Sequence, residues 1–399
     1  MKGRPAGPCN PSEGRLRIGF VFDDSLDVND GVQQYIVTLG RELSRRGHEV
    51  HYLVGETRRH PVPGIHPLAH NVMVAFNGNR MRIPLPAGRG KIRRVLSENP
   101  FDVLHVQAPY SPFLAGRVLE SADPRTGVVA TYHIASTGRL QYEAGRLLGV
   151  VNRRSHRRVD RVIAVSPAAA AYARGTAGAD ALVIPNPVDT ARFRRALAYY
   201  GPEPVARLRS GGPHVVFLGR FVERKGPQAL LRALAWGRHE GVFPPGMHVT
   251  MGGRGPLLDE CRRMAEGIDM RVDFPGFISE ADKPELLASA DVAVFPSTVG
   301  ETFGIVLLEA MACGALILAG DNPGYRYTLE GDDDSLFPIS GPDATADLAK
   351  KIARALDDPA WAGRVRARQA GLLSHYEVAS VADRTESVYR KAIQDRATM

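Results

Sequence analysis

The 399-residue sequence predicts an α/β protein of two domains, each a parallel sheet covered by helices on both faces. Three observations carry this. The length exceeds what one hydrophobic core normally fills, about 250 to 300 residues. Short β-rich apolar runs alternate with helical patterns, the rhythm of βαβ units. That rhythm restarts at His214, after a stretch rich in Pro, Gly and Arg.

Residues 1–15, MKGRPAGPCNPSEGR, hold no apolar run like that of a signal peptide and predict a disordered tail. LRIGFVF (16–22) reads as the first strand, GVQQYIVTLGRELSRRG (31–47) as the first helix and HEVHYLVG (48–55) as the second strand. DVLHV, GVVATYH and DRVIAV continue the sheet, and the first domain is drawn over 16–195. Residues 184–213 are poor in apolar periodicity at their middle, which sets a linker at 196–212. The second domain, 213–375, opens with HVVFLGR and continues through MHVTMGG, RVDFPG, DVAVFPS and ALILAG. Beyond 343 the pattern is helical in three segments. The last forms a terminal helix within 376–399, whose packing partner the pattern alone leaves open.

Composition narrows the function. The 44% hydrophobic and 24% charged fractions are those of a folded globular chain, and three scattered cysteines without a CxxC argue against a disulfide framework or a structural zinc. No run approaches the roughly 18 apolar residues of a membrane span. A cytoplasmic protein is expected, peripheral on the inner face of the plasma membrane if it meets lipid. Residues 1–200 carry 28 Lys and Arg against 16 Asp and Glu, a net +12 that leaves −4 of the total +8 for the rest. The first half therefore presents a basic surface to an anionic partner.

The turn after the first strand reads FDDSLDVNDGVQQY, with only Gly31 where a dinucleotide fold shows GxGxxG, so a nicotinamide dehydrogenase is not expected. GETFGIVLLEAMACG (300–314) is more informative. Glu301 and Glu309 stand eight residues apart, about 12 Å if both are helical. That separation matches the span from the hexose to the ribose of a nucleotide sugar, whose vicinal hydroxyls carboxylates hold by paired hydrogen bonds. Amides of Phe303, Gly304 and Ile305 at the positive end of the helix would face the diphosphate between them. In FLGRFVERKG (217–226), Arg220 and Lys225 follow a strand and suit a diphosphate leaving group. Asp332, Asp333 and Asp334 read as a solvated turn, and no metal site is expected.

In order and context these residues resemble the retaining family 4 glycosyltransferases of GT-B fold, whose marks are GRxxxxKG and E-x7-E. The resemblance runs from about residue 16 to 395. It implies two Rossmann-like domains facing a central cleft, a C-terminal helix crossing back to the first domain, and metal-independent transfer from a nucleotide sugar without a further cofactor. On that pattern Arg220 and Lys225 are the diphosphate clamp, Glu301 the donor-sugar ligand, Glu309 the ribose ligand and Gly31 the loop glycine at the donor phosphate. His133, in ATYHIAST, is the histidine at the reacting centre, and Gln34 and Tyr35 line the acceptor side.

Within the family the chain is most similar to bacterial phosphatidylinositol mannosyltransferases, through DVxxGVQ, ATYHIAST and IPNPVD. This implies GDP-mannose as donor and a phosphatidylinositol-type lipid as acceptor. Arg89, Lys91, Arg93 and Arg94 match the region those enzymes turn to anionic lipid. Asp30-Gly31 replaces the family's paired glycine, and VQAPYSP replaces its usual segment after DVLH, which leaves the acceptor and sugar open. A UDP-sugar donor with another acceptor, a GT-B epimerase or hydrolase, and a non-catalytic nucleotide-sugar sensor are the rival readings. Arg153, Arg154, Arg157, Arg158 and Arg161 are spaced to form one helical face, either solvated or a second lipid contact. They lack interleaved aromatics, so nucleic acid is not expected.

Overall fold

A computed structural model describes residues 14–27, 30–59, 61–76, 79–135, 138–200 and 211–398. The expected tail up to residue 13 and most of the expected linker lie outside these.

The chain divides into two compact units. The first comprises the chain up to Pro187 together with the C-terminal segment from Val378, and the second is Val188–Glu377. In the first unit the apolar runs become β1 (Arg17–Phe22), β2 (Glu49–Val54), β3 (Ile65–Pro67), β6 (Val103–Ala108), β7 (Gly127–Tyr132), β8 (Arg161–Ala164) and β9 (Leu182–Val183). They pair in parallel in the order β3-β2-β1-β6-β7-β8-β9. A separate antiparallel hairpin, β4 (Asn71–Phe76) with β5 (Asn79–Pro84), was not anticipated. The connecting helices are α1 (Gly31–Arg45), α2 (Arg89–Glu98), α3 (Ala115–Ser121), α4 (Arg139–Val151), α5 (Arg153–His156) and α6 (Pro167–Ala177).

β6 and β7 are buried at every position, so both faces of the sheet centre are covered, as parallel sheets require.

The second unit opens with α7 (Thr190–Tyr200). This helix stands where the sequence reading placed the end of the first domain and the start of the linker. It packs on helices of the second unit, and the division falls at Pro187 instead of 195. The sheet uses β10 (His214–Leu218), β11 (His248–Gly252), β12 (Arg271–Gly276), β13 (Val292–Phe295), β14 (Leu316–Gly320) and β15 (Leu336–Phe337). All pair in parallel, in the order β12-β11-β10-β13-β14-β15. Its helices are α8 (Pro227–His239), α9 (Leu258–Glu266), α10 (Lys283–Ser289), α11 (Ile305–Ala312), α12 (Pro323–Thr328), α13 (Ala344–Asp357) and α14 (Pro359–Tyr376).

The terminal helix, α15 (Val378–Ala397), packs on β7 and α1 of the first unit. Val381, Ala382, Val388, Tyr389 and Ala392 form its buried face. The two points where the chain passes between units are adjacent, since Val188 N donates to Tyr376 O at 2.8 Å. Among the described residues, no helix is long and apolar enough to cross a membrane.

Candidate active site

In the second unit the functional side chains gather where β10, β11 and β13 end. Parallel strands place their carboxyl-end loops together, and backbone bonds fasten these loops. Gly219 N donates to Gly252 O at 3.0 Å, Phe221 N to Arg254 O at 2.9 Å and Thr298 N to Arg224 O at 2.9 Å. Gly226 has φ +65°, and a side chain there would collide with the Pro296 carbonyl. The bare glycine lets the β10 loop lie directly against the end of β13.

That approach builds an ion cluster. Glu301 Oε1 accepts from Lys225 Nζ at 2.7 Å and from Arg224 Nη1 at 2.8 Å. Only 9% of the Glu301 side chain is exposed. Burial would raise its pKa, but the charges of Lys225, Arg224 and Arg220 outweigh burial and hold the carboxyl below its usual range. Two cations thus touch one carboxylate, and the charge of a third acts on it. Of the expected clamp, Lys225 touches Glu301, while Arg220 lies on the exposed strand-end loop, close enough to act through its charge. Arg224 was missed, although ERKG places it beside Lys225.

α11 begins at Ile305, so Glu301 is not helical, and the 12 Å estimate that assumed both glutamates helical does not apply. The helix starts from Gly304 at φ +97°, where a β-carbon would collide with the buried Tyr325 ring. Phe303 is buried, and its carbonyl accepts from Thr328 Oγ1 at 2.5 Å. The only group of Phe303 that can donate toward a phosphate is its backbone amide.

Glu309 belongs to a second cluster. It is buried and receives Lys283 Nζ on both oxygens, at 2.9 and 3.1 Å. Lys283 also pairs with Glu280 at 2.5 Å, and Glu280 with Arg192 of α7 at 2.9 Å. Burial pushes the Glu309 carboxyl up, whereas Glu309 and Glu280 outweigh the burial of Lys283 and keep it protonated. The sequence reading named none of Lys283, Glu280 and Arg192, because nothing local couples residues so far apart.

In the first unit the polar residues follow the period-two alternation of adjacent parallel strands. His105 and Gln107 share one face of β6. Thr131 lies on the same face of β7, and His133 follows just past its end. His133 Nε2 meets Gln107 Oε1 at 2.7 Å, and Gln107 Nε2 donates to His105 O at 3.2 Å. The amide of Gln107 is therefore oriented with its oxygen toward His133, so Nε2 of His133 carries the proton and Nδ1 is the acceptor. Burial pushes His133 down to about 3, so the ring is neutral at pH 7.

Tyr35 requires a correction. It is fully buried, with its ring edge on His133 at 4.8 Å between centroids, so it backs this histidine and does not line an acceptor surface. Gln34 is half-buried in the first turn of α1, and Gly31, the first residue of that helix, is exposed. Asp23, also missed, accepts the backbone N–H groups of Ser111 and Ala115 and ties the loop after β6 to the end of β1. Burial raises it to about 6.

On α2, Arg89, Lys91, Arg93 and Arg94 are exposed while Ile92 and Val95 are buried, a cationic outer face on an anchored helix. The second basic set does not form one helical face, because α5 ends at His156. Arg158 instead donates to Asp123 O at 2.9 Å, and Arg161, on β8, pairs with Asp395 at 2.5 Å. The aspartates 332–334 are engaged by Arg326, Arg368 and Trp361.

Two family models match the chain: Glycosyltransferase Family 4 over residues 29–192 and Glycosyl transferases group 1 over 212–358. A phosphatidyl-myo-inositol mannosyltransferase of Mycolicibacterium smegmatis is 34% identical over 378 residues, covering 94% of this chain and 93% of the relative. A GDP-mannose-dependent alpha-(1-6)-phosphatidylinositol monomannoside mannosyltransferase of the same organism is 28% identical, covering 85% and 89%. Among solved structures, a glycosyltransferase from Rickettsia africae superposes with a TM-score of 0.70 at 14% identity, covering 94% of this chain and 99% of that one. At such identity the likeness carries the fold, which is GT-B.

Proposed function

The chain belongs to glycosyltransferase family 4, and from that premise we propose that it moves mannose from GDP-mannose, with retention, to a hydroxyl of a phosphatidylinositol-type lipid. The observation that carries the donor half is the pairing of Arg224 and Lys225 with buried Glu301, with the charge of Arg220 acting on the same carboxylate. Three cations around one carboxylate leave an excess positive charge suited to a diphosphate. The names of the relatives support mannose, guanosine diphosphate and the lipid.

When donor binds, the diphosphate takes Lys225 and Arg220, and Glu301 turns its freed oxygen to the sugar hydroxyls. Glu309, whose two oxygens Lys283 already bonds, accepts from the ribose hydroxyls. The bond from the anomeric carbon to the β-phosphate oxygen breaks, and the bond to the acceptor oxygen forms on the same face. The acceptor's proton passes to the departing phosphate. Charge developing on that phosphate is met by the cations and by the amides opening α11. Neither a metal nor a further cofactor enters this scheme. His133, neutral and held by Gln107, offers Nδ1 as an acceptor to a sugar hydroxyl. The cationic face of α2 meets the anionic bilayer that holds the acceptor, each cation contributing about 1 kcal/mol. The protein then acts as a peripheral enzyme at that surface.

The test is a donor screen on purified protein with and without phosphatidylinositol vesicles. Label from GDP-mannose is expected in lipid as an α-linked mannoside. Free mannose without lipid product would make the protein a hydrolase, and transfer from UDP-sugars alone would overturn the donor assignment.

A further inference from the structure

The donor residues sit at the carboxyl ends of the second sheet, and the amino ends of the same strands carry a separate feature. β10, β11 and β12 begin with His214, His248 and Arg271, which are register partners across three parallel strands. Register partners point to the same face of a parallel sheet, so the three side chains form a row. The imidazoles of His214 and His248 stack at 4.3 Å between centroids, with their planes 6° apart. His214 has both ring nitrogens engaged. Nε2 meets Thr250 Oγ1 at 2.8 Å, and Nδ1 meets Ser289 O at 3.2 Å and Ser289 Oγ at 3.1 Å.

His248 differs. It is only 6% exposed, yet its Nδ1 meets no hydrogen-bonding partner. Among the described residues of the second unit it is the one buried side-chain nitrogen or oxygen left in that condition. Burying a polar atom without a partner is costly, so the exception calls for a cause. The ring edge faces the place where Gly211 lacks a side chain, because a β-carbon there would stand 3.5 Å from Cε1 and 3.6 Å from Nδ1. Gly211 and His248 both line a cavity of about 260 Å³.

The walls decide what can enter. Phe243, Pro244, Met247 and Met270 supply apolar surface. The Phe243 ring is seated on α8 because Gly237 is bare; a β-carbon there would lie 2.4 Å from it. Two exposed arginines complete the lining. Arg238 reaches Asp269 through Nη2 at 2.5 Å, and Arg271 reaches Asp273 through Nε at 2.8 Å. A guanidinium carries five N–H donors, so each arginine can also receive a carboxylate from outside. Pockets for drug-sized ligands hold about 300 to 1,000 Å³, and this smaller cavity suits a ligand of one ring or two fused rings. A hydroxyl both donates and accepts, so it completes Nδ1 in either tautomer of His248.

We propose that this cavity is a binding site for a small aromatic hydroxy acid. The ring packs on Phe243 and the two methionines, the hydroxyl meets His248 Nδ1, and the carboxylate takes Arg238 and Arg271. β11 runs five residues from His248 to Gly252, so about 13 Å of strand separates this site from the donor end of the sheet. The two sites are therefore distinct and can be filled together. The inference goes beyond the transfer reaction and does not rest on it.

The experiment is ligand-observed NMR on the full chain with 4-hydroxybenzoate and 4-hydroxyphenylacetate, each compared with the acid lacking the hydroxyl, with and without GDP. At least one hydroxy acid is expected to bind about tenfold more tightly than its counterpart, the worth of one hydrogen bond, and GDP should leave that binding unchanged. Gly211→Leu directs a side chain into the cavity, and its β-carbon makes only ordinary contact with the His248 ring. Binding of the acids should be lost in this variant while unfolding temperature and GDP affinity hold. His248→Phe keeps a flat ring over His214 and should erase the preference for the hydroxyl. The proposal is overturned if neither hydroxy acid binds up to about 10 mM, weaker than any specific site needs. Equal binding of each acid and its counterpart, binding that persists in Gly211→Leu, or displacement by GDP would overturn it as well. Absence of GDP binding would count against the donor reading and leave the result with the acids standing.

Discussion

Replacing Glu301 by glutamine separates the two tasks assigned to the second unit. In the structure the Glu301 carboxylate neutralises Lys225 and Arg224 at 2.7 and 2.8 Å. Glutamine keeps the volume and one acceptor but removes the charge. Removing one partner of a fully buried ion pair costs about 3–5 kcal/mol. Here the cations keep 18% and 28% of their side-chain surface in contact with water, so the expected loss of stability is smaller, about 1–2 kcal/mol. Freed of their carboxylate, the cations should bind a diphosphate at least as well as before, and up to about tenfold more tightly for each 1.4 kcal/mol of released competition. Transfer should fall about 100- to 1000-fold, since a group that positions the sugar in the transition state is lost. Calorimetry with GDP, labelled-donor transfer and thermal unfolding measure the three quantities on one preparation. Loss of GDP affinity in step with activity would refute the reasoning, because the carboxylate would then hold the cations in place for the nucleotide. Undiminished transfer would remove Glu301 from the site.

Lys283→Met leaves Glu309 and Glu280 without their shared cation, and a loss of about 3–5 kcal/mol in denaturant unfolding is expected. Glu309→Gln should cost less stability, since Lys283 keeps Glu280. Gln107→Leu removes the acceptor that holds the His133 ring, so kcat should fall about tenfold or more with little change in donor affinity, and the Gln107→Glu variant should shift the pH profile by favouring protonated His133. His105 is fully buried against Tyr389 and Thr131, and burial pushes its pKa from 6.5 down to about 3. The unfolded chain therefore binds a proton that the folded one refuses. Stability from this residue is complete above 6.5 and declines on acidification by about 1.4 kcal/mol per pH unit. Denaturation at pH 7, 6 and 5 should show that slope from this site, and His105→Gln should flatten it.

The elements were legible where their cause is local. Alternation and burial of Val, Ile and Leu marked β1, β2, β6, β7, β10, β13 and β14, and the 3.6-residue period marked α1 and α15. The need for glycine at 226 and 304 was not legible, since it comes from the close approach of the Pro296 carbonyl and the Tyr325 ring. The helix α7 was not, because its apolar face is completed only by α10 and α11, and its Arg-rich composition reads as a linker until that packing exists. The basic stretch 153–161 misled for a related reason. Its spacing fits a helix, but Arg161 is drawn into β8 by pairing with β7.

The site divides along the same line. The residue types and their chain order, Arg220 and Lys225, then Glu301 and Glu309, were decided by the sequence alone, because strand ends, turns and helix starts follow from neighbouring residues. Which charge meets which was decided by the tertiary structure. Lys283 reaches Glu309 across 26 positions, Arg192 reaches Glu280 across 88, and His133 is held by Gln107 26 positions away. Electrostatic attraction and desolvation depend on distance through space, and only the stacking of parallel strands makes those distances short.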